Sequence, residues 1–552
     1  MGEHIFKARL CRKGISERMK RLALILMVFL VMSSACSTEI SYPDEPPVFT
    51  TAAITDKPPV EHPVFTERRV HDFGIVYRPF FVEIDMVSEF PDKKSDGLSD
   101  ILNDDDKDYI KLLSGESISY QIDTPSSQHY ILEVEIFGDN SALGVYSASQ
   151  HLEANELFSA TLLEHGAFYS GGTQKFETKT MESIFLRDRA NTVVLKAIRG
   201  DVYICALKIT AAELSERRYD ITPSPADINA SEKTRVVLEY LADIYGRHVL
   251  TAQHCTVNTN VEINAIYEAT GRYPAIRAGD MVNYSRCYGG ADKKDNREIE
   301  LSEQWADNGG LVMLSWTWFS PMPTGGSHYY AADTAFDINA AVTRQDLLSA
   351  DTVELEALNE FGKISDETLE LMKDIDDMAR HLKQLSERDI PVLWRPLKQP
   401  ELKWFWWGAG EPESYIYVWR LMFERFHLYH ELDNLIWVWA SENSRYYPGD
   451  NYVDIIGVDC YNLTDTSNVV RLDAAQNIPS AKKMTAMSES GLLPNPDILH
   501  RDNAMWLFTG LFKGDFLVGD NGLHASALNL KDRLEYIYNH ELTVALDEVI
   551  RF

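Results

Sequence analysis

The sequence predicts an α/β chain built as a (β/α)8 TIM barrel preceded by an all-β jelly-roll sandwich. Two patterns predict it. Residues 66 to about 215 carry short alternating runs such as "SISYQI", "HYILEVEIF" and "TVVLKAI", parted by Gly, Asp, Asn and Ser turns. After residue 230 eight apolar runs follow one another: "HVLTAQH", "PAIRAGDM", "LVMLSWTW", "IPVLWRPL", "LIWVWA", "VDIIGVDC", "KMTAMSES" and "GDFLVGDN". Stretches of helical period lie between most of them, the clearest being "DETLELMKDIDDMARHLKQLSER". Eight buried strands alternating with helices over some 320 residues fit a barrel, whose chemistry gathers at the strand C-termini.

The chain begins with an export pattern. "MKRLALILMVFLVMSSAC", residues 19–36, has a basic start, an apolar run and small residues before Cys36. The run is short of the roughly 20 residues a membrane span needs. Residues 1–36 therefore read as a bacterial lipoprotein signal, with translation starting at Met19 and Cys36 lipidated. An uncleaved anchor helix is the alternative. Residues 37–65, rich in Pro, Thr and acids, form a tether. This places the protein at the outer membrane, on the cell surface or the periplasmic face, held only through its lipid. Residues 216–229, "ERRYDITPSPADIN", form a Pro-broken linker between the two folded parts.

The net charge of −31 excludes a nucleic-acid partner and suits a neutral ligand met by a monomer. Apart from Cys11 and Cys36, four cysteines remain, and their spacing matches no zinc pattern. A Cys255–Cys287 disulfide and four separate thiols, with Cys205 and Cys460, are both consistent with the sequence.

The strand ends of the barrel present His254, Asp280, Trp316, Trp318, Arg395, Glu442, Tyr461, Glu489 and Asp520. Aromatics cluster after the third and fourth runs: Trp316, Trp318, Trp404, Phe405, Trp406 and Trp407. Such rings stack on pyranose faces, so they read as a polysaccharide-lined cleft; the other reading is core. Glu489, in "MSESG", is either a salt-bridge partner or a nucleophile.

The pieces "LTAQH", "GRYPAIRAGDM", "LSWTW", "PVLWRPL" with "WFWWG", "NLIWVWASENSRYYPGDNYVDIIGVDCYN" and "SESG" occur in one order over residues 230–552. In that order they resemble glycoside hydrolase family 26, mostly β-mannanases acting with retention. The resemblance implies Glu489 as nucleophile, Tyr461 as its hydrogen-bond partner, and Arg395 and His254 as substrate-site residues. It also shows departures. The family's "R-P-L-H-E" reads "RPLKQ", so Gln399 takes the acid/base position and Lys398 the preceding His. Thr317 replaces another His, and Gly519-Asp520 stands where a Trp-Arg pair is expected. No cofactor is implied for the barrel.

The first part is similar to carbohydrate-binding module families 6 and 35 in its pieces "FVEIDMV", "GESISY" and "NTVVLKA". That resemblance implies a structural calcium, for which Glu83 and Asp85 are early ligands while Cys205 stands at the late Asp position.

Retaining hydrolysis uses two carboxyls about 5–5.5 Å apart, and Gln399 has no proton to give. Glu401, on the same face as Gln399 if the segment is extended, and Glu442 are the candidate substitute acids. Three readings follow: a β-mannan hydrolase with a displaced acid, a disabled barrel that holds glycan, and a scaffold without glycan affinity.

Overall fold

The computed structural model describes residues 78–552 apart from 88–99, 105–106, 153–155, 158–159, 161, 171–174, 216–217, 289–295, 323–327, 463–464 and 520–521. The export segment, Cys36 and the tether lie outside the described residues, as does Asp520.

The sandwich strands are β1 (Phe81–Asp85), β2 (Asp100–Asp104), β3 (Lys107–Leu112), β4 (Ser117–Thr124), β5 (Gln128–Phe137), β6 (Ser141–Ala148), β7 (Leu163–Ser170), β8 (Glu177–Leu186), β9 (Arg189–Arg199) and β10 (Val202–Ala211). One sheet runs β2-β3-β10-β5-β8 with β1 on β10; the other runs β4-β9-β6-β7. Alternation explains the two layers. In β4, Ile118, Tyr120 and Ile122 turn inward while Gln121 and Asp123 face water. They meet Leu132, Val134 and Ile136 of β5 and Val193 and Leu195 of β9 in one core. Each such buried side chain contributes about 1.5–3 kcal/mol.

The barrel strands are β11 (Val249–His254), β12 (Ile276–Asp280), β13 (Leu311–Trp316), β14 (Val392–Pro396), β15 (Leu435–Ala440), β16 (Ile455–Cys460), β17 (Met484–Ser490) and β18 (Phe508–Leu511). All pair in parallel, and β18–β11 and β11–β12 close the ring. Several strands, β11, β13, β15 and β17 among them, are buried at every position, as parallel strands covered on both faces must be. The helix Asp366–Ser386 sits where its period predicts: Ser365 accepts from Thr368 N, and Leu369, Met372, Ile375 and Leu382 pack inward.

Three readings change or narrow against the structure. The eighth strand is "FTGL", not "GDFLVGDN", whose start forms a tight turn at Gly514–Phe516. Gly510 marks the reason: a Cβ there would meet Ser488 O at 2.5 Å and His254 Nε2 at 3.1 Å, so the strand is short and carries no bulk at its centre. Phe512 and Lys513, not Gly519-Asp520, therefore follow the eighth strand. Secondly, of the two readings left open for the cysteines the structure holds the second, with Cys205, Cys255, Cys287 and Cys460 as separate thiols. Cys255 lies buried beside Gln253 O, while Cys287 donates to Pro321 O at 3.0 Å, so the two sulfurs serve different loops. Thirdly, no calcium ligand set is assembled among the described residues. Glu83 pairs with Lys208 at 3.2 Å and Asp85 accepts from Val87 N. Among the described residues no metal-holding cluster occurs, and no helix is long and apolar enough to cross a membrane.

The two parts dock through a polar hub. His129 Nε2 of β5 stands 2.8 Å from Asp502 Oδ2, which also accepts from Ser467 Oγ at 2.6 Å. Arg501 holds Asp502 at 2.7 Å and lays its guanidinium 3.9 Å from the Phe185 ring. Burial opposes ionisation here, but the close approach of His129 and the Arg501 hydrogen bonds hold the Asp502 carboxyl down to about 2. A carboxyl depressed from 3.8 stabilises the fold fully above about pH 4 and loses that contribution as pH falls toward 2. Asp502→Ala strands the histidine and arginine and is expected to cost about 3–5 kcal/mol, read from thermal unfolding of the full chain. A loss well under 1 kcal/mol would remove Asp502 from the interface account.

Candidate active site

The site begins with Arg395, near the end of β14. Its guanidinium is fully buried among the strand ends. Nη1 donates to Glu489 Oε1 at 2.7 Å and to Ser315 Oγ at 3.3 Å. Nη2 donates to both Asp459 oxygens at 2.7 Å. One arginine thus ties β13, β14, β16 and β17 together.

Beyond Pro396 the chain cannot continue as a strand. Leu397 and Gln399 both adopt left-handed backbone, with φ of 50° and 53°. Such residues cost about 1–3 kcal/mol each and persist only where neighbours hold them. Here Tyr415 Oη donates to Leu397 O at 3.0 Å, Trp407 Nε1 to Lys398 O at 2.8 Å, and Gln399 N to Ala440 O at 2.8 Å. The clamp turns Lys398 and Gln399 into the barrel mouth.

Lys398 Nζ lies 2.5 Å from Glu489 Oε1, and Tyr461 Oη donates to Glu489 Oε2 at 2.5 Å. Burial would push the Glu489 carboxyl up, but Lys398 and then Arg395 hold it well below the usual range. Glu489 is a buried, ionised carboxylate with donors on both oxygens and no exposed surface. Tyr461 is pushed well above its ordinary value by burial and by Glu489, so it stays protonated and donates. His254 is neutral: burial lowers it to about 3, and its Nε2 donates to Ser488 O at 2.8 Å.

Gln399 Nε2 donates to Asp459 Oδ2 at 2.6 Å, which fixes its amide orientation. Its carbonyl Oε1 is buried and has no partner among the described residues. A buried acceptor left unpaired costs about 1–3 kcal/mol, so a donor arriving there is favoured.

Glu401 is placed differently from the extended-segment expectation. The left-handed Gln399 leads into the turn Pro400–Leu402, which directs Glu401 to the end of β15 while Gln399 points to β16. Its Oε2 accepts from Ser441 Oγ at 2.7 Å and its Oε1 from Glu442 N at 3.1 Å, and burial raises its carboxyl. Glu442 is ion-paired with Arg471 through Nε at 2.7 Å. Asp280 stays outside the carboxylate pair and anchors Thr317, through N at 3.0 Å and Oγ1 at 2.6 Å.

The tryptophan expectation is corrected. Trp316, Trp318, Trp406 and Trp407 are core, each at most 1% exposed. Every indole N–H is spent internally: Trp316 on Ser285 Oγ, Trp318 on Asp374 Oδ2, Trp406 on Trp318 O and Trp407 on Lys398 O. Gly408 explains the folding-in, because a Cβ there would strike Pro400 O at 2.2 Å. Trp404 alone of these tryptophans is half-buried. The rings support the loop that aims Lys398 and Gln399 rather than line a cleft. Sequence reasoning missed Asp459 and Ser488, which donates to Asp459 Oδ1 at 2.7 Å. The signal was there: Asp459 is the one carboxylate inside the apolar run "IIGVDC".

Residues 226–548 match the family model described as Glycosyl hydrolase family 26. The chain is 26% identical over 446 residues to a mannan endo-1,4-beta-mannosidase of Thermothelomyces thermophilus, covering 79% of this chain and 83% of that protein. It is 28% identical over 446 residues to mannan endo-1,4-beta-mannosidase B of Piromyces sp, covering 79% and 72%. In fold it is similar to the GH26-CBM35 beta-(1,4)-mannanase of Podospora anserina, with TM-score 0.55, 24% identity, and coverage of 86% of this chain and 99% of that one.

If Trp406 is core, Trp406→Ala lowers stability by about 3–5 kcal/mol in denaturant unfolding. A variant as stable as the parent, with only glycan affinity lost, would restore the cleft-lining role.

Proposed function

This chain belongs to glycosyl hydrolase family 26, and from that membership we propose that it is a β-mannan-directed glycoside hydrolase of the mannanase type that keeps only the nucleophile half of a retaining site. The observation that carries this reading is the state of Glu489. It is ionised, oriented by Arg395 and Tyr461, and set at the C-terminal end of a barrel strand.

Its role is attack on the anomeric carbon. The opposite role, giving a proton to the leaving sugar oxygen, falls to position 399. Gln399 can donate a hydrogen bond but not a proton. Losing acid assistance slows cleavage of an unactivated sugar by about 10²- to 10⁴-fold. The orphan Gln399 Oε1 is instead suited to accept a sugar hydroxyl, so glycan is held where it is slowly cut. Glu401 and Glu442 do not fill the gap, because their oxygens are committed to Ser441, the Glu442 amide and Arg471.

A second reading, a surface lipoprotein that binds mannan without cutting it, is favoured by one contact. The Lys398 ammonium covers Glu489, and a sugar ring must displace it before attack. In both readings export through the segment ending at Cys36, an outer-membrane lipid anchor and a glycan-binding sandwich remain parts of the proposal, supported by the sequence patterns that suggested them.

The test is sugar release from β-mannan, glucomannan, β-glucan and xylan. The parent is expected to release product slowly from mannan, Glu489→Gln to release none, and Gln399→Glu to gain about 10²-fold or more. Parent activity that Gln399→Glu leaves unchanged would mean that another acid serves the site.

A further inference from the structure

Only the nitrogen end of the Gln399 amide is engaged. Nε2 donates to Asp459 Oδ2 at 2.6 Å, while Oε1 is buried without a partner among the described residues. Asp459 sets that polarity. Its carboxylate also accepts from Arg395 Nη2 at 2.7 Å on each oxygen and from Ser488 Oγ at 2.7 Å. A carboxylate so engaged can only accept, so the amide turns its nitrogen toward Asp459 and its oxygen away. The backbone holds the same pose, because Gln399 N donates to Ala440 O at 2.8 Å. Position 399 therefore offers the mouth an acceptor. In a retaining site the group opposite the nucleophile addresses the oxygen on the anomeric carbon. Inside a polysaccharide that oxygen is a glycosidic ether, which has no hydrogen to give. At the reducing end of a chain it is a hydroxyl, which has one.

We propose that this mouth reads the reducing end of a β-mannan chain: the β-anomeric hydroxyl of the last sugar, seated over Glu489, donates to Gln399 Oε1, and Asp459 is the positioning residue that sets this preference. The inference rests on the mannan reading above and deepens it, naming the part of the glycan that fits. An internal linkage sets two acceptors, the ether oxygen and Oε1, against each other in a buried place. An acceptor left unpaired there disfavours that ligand by about 10- to 100-fold. The internal chain is the poorer ligand, in keeping with the slow cutting expected of a site without its acid. No bond is made or broken in this recognition.

The experiment is calorimetry on the full chain at neutral pH with β-1,4-mannotriose and its methyl β-glycoside, which differ only by a methyl group on the anomeric oxygen. Mannotriose is expected to bind about 10- to 100-fold more tightly. Equal binding, or tighter binding of the methyl glycoside, would overturn the end reading and leave mannan as the ligand. Gln399→Met lacks the oxygen and is expected to bind the two alike; a gap that survives there comes from the bulk of the methyl group and overturns the role of Oε1. Asp459→Asn lets the amide turn either way and is expected to shrink the gap. The exchanged pair, Asp459→Asn with Gln399→Glu, restores the hydrogen bond between the two positions, the charge of the site and a free acceptor oxygen, and the gap returns. An exchanged pair no more selective than Asp459→Asn would remove Asp459 as the positioning residue. Cellotriose and xylotriose with their methyl β-glycosides separate the two levels. A gap with either of them, and no mannotriose binding, keeps the end reading and removes mannan; no binding by any of the three overturns both.

Discussion

The barrel mouth depends on one buried guanidinium. Arg395 takes two carboxylates on two strands, holding Asp459 by both its oxygens and sharing Glu489 with Lys398. Burying an isolated carboxylate costs several kcal/mol, and removing one partner of a buried pair costs about 3–5 kcal/mol. Desolvation opposes the Arg395 charge too, yet Asp459 and Glu489 outweigh it and raise its pKa. The same pairing splits the carboxylates. Glu489, with Lys398 and Arg395 on one oxygen, is driven well below its ordinary range, while burial leaves Asp459 raised. That asymmetry, rather than the glutamate alone, suits Glu489 to the nucleophile role proposed for it.

The loop after β14 translates packing into chemistry. Its two left-handed residues are held by Tyr415, Trp407 and the β15 carbonyl of Ala440. The aromatic cluster beneath is what makes such a loop affordable. Trp318 and Trp316 stack at 3.9 Å, and Trp406 meets Trp318 edge-on at 4.9 Å. Changing Lys398 or Gln399 alters the charge of the site without touching that support. An amide at position 399 is therefore compatible with an intact mouth.

Much of this was legible in the sequence. Seven of the eight barrel strands lie in the predicted runs, because a strand buried on both faces must be a continuous apolar run. The eighth was missed because "FTGL" is short and interrupted by Gly510, whose purpose is a close approach visible only in three dimensions. Glu489, Tyr461, Arg395 and Gln399 were legible as positions, and the structure brings them into one hydrogen-bonded network with Asp459. Asp459 was passed over as part of a strand. The tryptophans were misread because composition cannot tell a ring that lines a cleft from one that props its wall. The fate of their indole N–H groups decides it. Glu401 was misdirected because a left-handed glutamine breaks the two-residue alternation of an extended chain.

We propose that Gln399 and Lys398 make this mouth one that holds sugar against a guarded Glu489. The most direct test is a crystal structure of the full chain with β-1,4-mannotriose. The account predicts a sugar ring over Glu489, a sugar hydroxyl donating to Gln399 Oε1, and the Lys398 ammonium moved off Glu489 Oε1. A mannotriose bound elsewhere, with Lys398 still on Glu489 and Gln399 Oε1 still unpaired, would contradict it.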